Sequence, residues 1–574
     1  MPPKILITDF KGEIPRRESR MMPPGFAARA SNTRLTSGAL HPFRRSGLIH
    51  TFDDPVQTIY KHGDDWLGFP GPANVVRGPV AQDRIYYTAG VDVPRMMVGD
   101  TVYPLALPAP AAAPTLTALS TPDPALINDV IYAYTYVTEF DEESAPSPAS
   151  AALAWSPGVT VRVTDFSTAP TGRGIDRIRL YRSQTSALGV TDLYFVAEFA
   201  IATTTYDHDL ATHPLQEVIP SVDYDPAPDE MTGLTAMHNG MIAGFDGREL
   251  FISEPFRPHA WPVKYRLLVD FEIVGLASFG STLAILTKGT PYIAQGTAPE
   301  NMVMEKLDTN MPCISARGIV DFGYAAAYPS NDGLALITPS DVRLVSRNLF
   351  SQQDWRALNP QDFFAENYDN RYAFAFQTSE IPAIDSGGPG DDLTTTLDGG
   401  TPGGDTSDFT LYDGGNPLTL GAINSLGFID LTGEQPFFIR TDAKVNAEPT
   451  GLYYEGGTGT LAMICNDVEV RAFDSEGRPT ARYEWVSQDF HFSGYENLGA
   501  LLVETENTPV NASNFSISVY ADDVLIHTES RANDATRLPS GFLARKWRVE
   551  VRGTVPVSLI ALADGISALE MGGA

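Results

Sequence analysis

Met241-Ile242-Ala243-Gly244-Phe245, Asp246-Gly247-Arg248, Leu250-Phe251-Ile252 is an apolar run, a tight polar turn and a second apolar run. The phrase returns as Thr282-Leu283-Ala284-Ile285-Leu286, Lys288-Gly289 and Pro291-Tyr292-Ile293-Ala294. A third copy reads Gly333-Leu334-Ala335-Leu336-Ile337, Pro339-Ser340-Asp341, Val342-Arg343-Leu344-Val345. A fourth pairs Tyr372-Ala373-Phe374-Ala375-Phe376, across an insertion, with Phe409-Thr410-Leu411-Tyr412, closed by Asp413-Gly414-Gly415. A fifth is Leu461-Ala462-Met463-Ile464-Cys465, Asn466-Asp467, Val468-Glu469-Val470. Gly and Asn tolerate the positive φ that such turns require, so each phrase reads as a hairpin. Hairpins recurring every ~40–50 residues are the sequence form of propeller blades. The chain therefore reads as all-β, with a β-propeller over residues 223–490.

The flanking segments read as further β structure. Residues 51–115 hold short strand-like runs, among them Trp66-Leu67-Gly68-Phe69 and Arg84-Ile85-Tyr86-Tyr87-Thr88, which read together as one more hairpin. They end in a stiff Pro/Ala linker from Pro104 to Pro114. Residues 116–222 read as a β-sandwich. In it Val130 to Val137 alternates aromatic and small residues as a half-buried strand, and Val159-Thr160-Val161-Arg162-Val163 alternates cleanly. The Tyr134-Thr135-Tyr136-Val137 run, then Glu143-Ser144-Ala145-Pro146-Ser147, then Ile178-Arg179-Leu180-Tyr181-Arg182, resembles a fibronectin-type-III-like module. Such modules bind or space and carry no chemistry of their own. Residues 491–574 read as a C-terminal β-platform, with Lys546 to Arg552 alternating charged and apolar and a short helical tail after Ile566.

At 574 residues the chain exceeds what one core usually holds, so several domains are expected. A net charge of −31 argues against a surface built to grip phosphates. No run has the length and apolarity of a membrane span, and the opening residues lack the pattern of an export signal. Cys313 and Cys465 sit in apolar runs and read as buried free thiols. Charge is uneven: residues 1–50 carry nine basic groups against three acidic ones. Arg16, Arg17, Arg20, Arg29, Arg34, Arg44 and Arg45 mark this stretch as an extended basic arm. Its prolines forbid a long helix, its Phe10, Leu35, Leu40 and Phe43 must pack elsewhere, and it should dock on an acidic body in cis or on a neighbouring copy.

The opening also carries a pattern in Phe10, Gly12, Pro15, Arg16, Asn32, Leu35, Ser37, Gly38, Leu40 and Pro42. It resembles the start of the tail tubular protein B, or nozzle, proteins of short-tailed bacteriophages. The resemblance implies a structural virion protein made in the host cytoplasm, a homohexameric ring that continues the DNA channel below an adaptor ring. Fibres or spikes would attach outside it. Double-stranded DNA would pass through without specific binding, since an acidic wall repels phosphates.

No constellation in the sequence argues for an enzyme, a cofactor or a metal centre. Asp207-His208-Asp209 with His213 brings four donors close in sequence, but such residues are also ordinary at strand ends. No Gly-x-Ser-x-Gly elbow and no phosphate-cradling loop appears. Residues 385–408 are rich in Gly and Asp, with Asp385, Asp391, Asp392, Asp398, Asp405 and Asp408. Gly387-Gly388-Pro389-Gly390-Asp391-Asp392 approaches a calcium-binding turn, but a lone copy cannot stack. The segment reads otherwise as a flexible acidic loop, or in a ring as a channel gate or external attachment loop. The rival to the structural reading is a carbohydrate-binding or glycan-cleaving propeller that recognises a host surface.

Overall fold

Continuous apolar runs joined by tight turns form antiparallel meanders whose sheets are buried on both faces. The structure, a computed structural model, describes residues 4–570 except 36, 82, 91, 186–190, 379–411, 414–415, 418–422, 434, 442–447, 507–508 and 542. It is all-β, with short helices such as Gln352–Ala357 and Ile566–Glu570. The chain divides into a central unit, Val56–Asn331 with Ala335–Arg343, and an N/C unit, Met1–Pro55 with Asp332–Leu334 and Leu344–Ala574.

The central unit carries meanders with the strand order of propeller blades. The first runs Ala73–Arg77, Arg84–Ala89, Arg95–Val98, Thr101–Pro104, and the second Thr232–Ala236, Ile242–Asp246, Glu249–Ile252, Leu267–Leu268. The third runs Ile273–Phe279, Thr282–Thr287, Tyr292–Gln295, Val303–Lys306. The fourth sheet, through Val320–Asp321, Ala326–Ser330, Gly333–Ile337 and Val342–Leu344, follows the same order. First strands lie side by side: Thr232–Ala236 against Ile273–Phe279, and that strand against Val320–Asp321.

Strand period two divides the second meander between its neighbours. Ile242 and Phe251 join Val76, Tyr86 and Met96 in one core, while Ala243, Phe245, Leu250 and Ile252 join Leu276, Leu283 and Ile285 in another. Both faces being covered, the strand reads as unbroken apolar sequence rather than as an alternation. Gly247, at φ 53, makes the two-residue turn between paired Asp246 and Glu249. One expectation fails here. Asp65–Phe69 pairs with Thr58–His62 across Gly63, while Arg84–Ala89 belongs to the first meander, so the two runs lie in different sheets.

The sandwich lies in the same unit. One layer is Thr115–Ala118, Val161–Thr164 and Thr205–His208, and another is Tyr132–Thr138, Ile175–Thr185 and Thr191–Ala200. Tyr132, Tyr134, Tyr136, Trp155, Val161, Val163, Ile178 and Leu180 form its core. Tyr132–Thr138, expected half-buried, is buried at every residue. The reason is a serine seam. The amides of Tyr132, Tyr134 and Tyr136 donate to Oγ of Ser150, Ser147 and Ser144 at 3.0, 3.1 and 3.0 Å. The three serine amides donate back to the tyrosine carbonyls, so residues 144–150 cover the strand.

In the N/C unit the opening residues are extended, as expected, and supply one strand to each of three sheets. Ile5–Ile7 edges the sheet of Val557–Ala563, Ala500–Thr505 and Thr536–Arg537. Ala27–Ser31 lies inside a ten-stranded sheet, between Phe437–Arg440 and Tyr483–Ser487. Gly47–Thr51 edges Pro449–Glu455, Thr460–Cys465 and Glu469–Ala472. Phe10, Leu35, Leu40 and Phe43 are all buried, with Phe10 edge-on to Trp485 at 5.0 Å and Phe43 between Phe428 and Phe473.

The fourth repeat phrase is corrected by this sheet. Arg371–Thr378 pairs with Phe364–Tyr368 and with Ile423–Asp430, giving a long sheet rather than a blade. Phe409, Thr410 and Leu411 lie outside the described residues. The stretch 223–490, read as one array, is thus divided between the two units.

A buried fork fixes the opening segment. Glu13 Oε1 accepts from Arg440 Nε at 3.0 Å and from the Ala30 amide at 2.8 Å, and Oε2 accepts from Arg440 Nη2 at 2.7 Å. Glu13 and Phe438 also exchange backbone bonds at 2.7 and 2.9 Å. Breaking one partner of a buried pair strands a charge and costs about 3–5 kcal/mol. Arg440→Met should therefore lower the stability of the N/C unit by about that amount. Adding Glu13→Gln should restore most of it, measured by urea unfolding; an unchanged midpoint for the single variant contradicts the clasp.

Candidate functional site

The seven arginines are not a free arm. Arg29 Nε meets Glu484 Oε2 at 2.9 Å, Arg34 Nη1 meets Asp474 Oδ2 at 3.2 Å, and Arg20 Nε meets Glu18 at 2.9 Å. Arg16 donates to the carbonyl of Arg347. The Arg44 amide donates to Asp474 Oδ1 at 2.7 Å, and the Arg45 amide to the carbonyl of Pro479 at 2.9 Å. Arg17 is half-buried, and Arg16, Arg20, Arg29 and Arg45 remain exposed. Asp474 thus takes both Arg34 and the backbone at Arg44, docking the segment onto its own chain. Asp385, Asp391, Asp392, Asp398, Asp405 and Asp408 lie outside the described residues.

The Asp207–His213 donors are committed elsewhere. Arg162 grips Asp207 with two bonds of 2.8 Å. His208 Nε2 faces the carbonyl of His213 at 3.0 Å, which requires it to donate, leaving Nδ1 to accept from Tyr132 Oη at 2.7 Å. Burial lowers the pKa of this ring. Among the described residues no group of three or more His, Cys, Asp or Glu is placed to hold a metal ion. Cys313 and Cys465 are buried and free, and burial pushes both thiols up to about 12.

The densest polar constellation was not anticipated from sequence. Glu142 and Glu143, read as part of a turn, are 5% and 3% exposed. Glu143 Oε1 accepts from Tyr181 Oη at 2.6 Å, Thr135 Oγ1 at 2.9 Å and Ser221 Oγ at 3.1 Å, and Oε2 accepts from Arg179 Nη1 at 2.8 Å. Burial, reinforced by the Glu143 carboxylate, raises the Tyr181 hydroxyl. Four donors on one buried carboxylate make a structural pin that ties two sandwich strands, Tyr132–Thr138 and Ile175–Thr185, to residue 221. Glu142 meets Arg173 Nη2 at 2.5 Å, with Arg84 at 3.7 Å and His259 Nδ1 at 3.9 Å. His259 Nε2 lies 3.1 Å from the Glu143 carbonyl. The one sequence signal was two adjacent carboxylates beside an apolar strand.

Burial holds His259 down from 6.5 to about 4, against the pull of Glu142. Its folded-state pKa lies below the unfolded one, so protonation favours unfolding. The stabilising contribution is complete above about pH 6.5 and is lost as pH falls toward 4. That difference corresponds to about 3 kcal/mol. Urea unfolding of the wild type across this range should lose about 3 kcal/mol more than the His259→Gln variant. Parallel pH profiles for the two proteins contradict the assignment.

No family model and no curated protein matches the chain. Among solved structures, it is similar to PorZ, a bacterial surface component of the type-IX secretion system of Porphyromonas gingivalis, at TM-score 0.26 and 10% identity, over 90% of this chain and 77% of that one. A second is described as the extracellular domain of a hybrid two-component system from B. thetaiotaomicron, at TM-score 0.21 and 10% identity. That alignment covers 74% of this chain and 51% of the other, so the chain spans about half its length. At such scores neither likeness bears on function.

Proposed function

We propose that this chain is a structural subunit of a short phage tail, a nozzle-type protein that assembles as a ring around the path of DNA. The observation that carries the reading is where the opening motif falls. Phe10, Gly12, Asn32, Leu35, Leu40 and Pro42 are buried positions of the segment that enters three sheets. A side chain at Gly12 would stand 2.4 Å from the Phe438 carbonyl oxygen. Asn32 holds φ 57 while its side chain donates to the Arg482 carbonyl at 3.0 Å. The motif is thus a requirement of architecture, which is the kind of likeness that a shared fold would leave. A net charge of −31 suits a wall past which duplex DNA slides without sticking.

On this reading a homohexamer meets an adaptor ring and fibres or spikes, and half-buried Arg17 with exposed Arg20 and Arg45 face neighbouring copies. Deleting the segment would not isolate that role, because it removes strands from three sheets. Charge reversal at Arg17 and Arg45 is the cleaner probe. Purified protein studied by light scattering and negative-stain microscopy should give annular particles, which the reversals weaken while the melting temperature holds. A monomer at every concentration, alone or with virion components, overturns the proposal; a monomer with sugar affinity favours the glycan-binding alternative.

A further inference from the structure

Beside the Glu142 cluster the central unit holds a groove of about 560 Å³, a volume in the range of ligand sites. Pro104, Pro108, Pro170, Pro226 and Pro228 line it. Proline fixes φ and offers no N–H, so these walls are pre-shaped and donate nothing. The groove lies where the linker enters the sandwich and where the chain returns from it. Among the described residues the lining has no aromatic ring, so nothing there stacks a sugar or a base.

The groove lining carries Arg173 and Arg266 beside Asp225 and Asp229, and Asp225 accepts from the Val263 amide at 3.0 Å. Arg173 is 2% exposed, and its Nε and Nη1 have no hydrogen-bond partner among the described residues. Among the described residues the one carboxylate within ion-pair reach of it is Glu142, which also serves Arg84, while Glu139 is exposed and accepts from Tyr103 Oη at 3.3 Å. With His259 neutral, two guanidinium groups share one buried carboxylate. A buried cation without its full complement of acceptors is costly, and an incoming carboxylate relieves that cost. Arg266, also in the lining, is loosely held by Glu249 at 3.6 Å, and its Nε lacks a partner among the described residues.

We propose that this groove binds an extended peptide segment through a carboxylate, which Arg173 and Arg266 receive while the apolar body lies along the prolines. Exposed Asp229 in the lining favours a basic residue elsewhere in the same peptide. The inference stands apart from ring assembly.

The probe is a Pro-Ala-Glu-Ala-Lys amide carrying fluorescein on its N-terminus, so that the Lys amine stays free, titrated by anisotropy against the full chain, with an analogue carrying Gln for Glu and with N-acetylglutamate as competitor. The acidic peptide should bind at least about tenfold more tightly than the Gln analogue, a difference of about 1.4 kcal/mol. Arg173→Met removes the receiving cation but disturbs the core. Thr171→Trp, at an exposed lining position, should abolish binding while leaving the melting temperature unchanged. Equal binding of the Gln analogue, binding that survives Thr171→Trp, or no binding at millimolar peptide overturns the proposal. N-acetylglutamate binding as tightly as the peptide also overturns it, since the apolar body would then contribute nothing.

Discussion

A buried carboxylate, that of Glu13, holds the opening segment to strands far along the chain. It gathers Arg440 and the Ala30 amide while its own backbone pairs with Phe438. Ala27–Ser31 is thereby seated between strands that belong to the last quarter of the sequence. Desolvation keeps the Glu13 carboxyl above its ordinary value even with Arg440 beside it. Such a pair adds less stability than it removes when broken, so its contribution is to fix which strand enters the slot and in what register.

Much of the fold was legible because its signals are local. Asp246-Gly247, Lys288-Gly289 and Asn466-Asp467 each sit between apolar runs, and each marks a hairpin that the structure contains. Trp547, Val549 and Val551 alternate with charged residues and are the buried face of one strand. What escaped depends on distance along the chain. Arg371–Thr378 carries the same apolar signature as a blade strand, but its partner Ile423–Asp430 lies beyond a long insertion, and nothing in the strand announces it. Glu142 and Glu143 looked like turn residues because partners such as Arg84 and His259 lie far away along the chain.

The same distance explains why charge composition misled about the opening segment. Its arginines suggested a free arm, yet Asp474 and Glu484 wait for them in the body to which the segment belongs. An excess of acid across the chain does not mean that basic residues seek another molecule. The buried cluster shows the converse: two guanidinium groups gathered on one carboxylate leave a local positive surplus inside a protein of net charge −31. Overall charge and site charge are separate quantities here, and only the second bears on what a groove receives.

The way the first fifty residues are woven in also sets a timetable during synthesis. Ser31 meets Arg440 and Ala27 meets Ser487, so the strand Ala27–Ser31 leaves the ribosome long before its sheet neighbours exist. The central unit, whose pairings close between residues 56 and 343, can complete itself in that interval. Until the last strands are translated, the amino-terminal segment waits with exposed Phe10, Leu35, Leu40 and Phe43 and unsatisfied strand edges, the state most open to a chaperone and most exposed to aggregation.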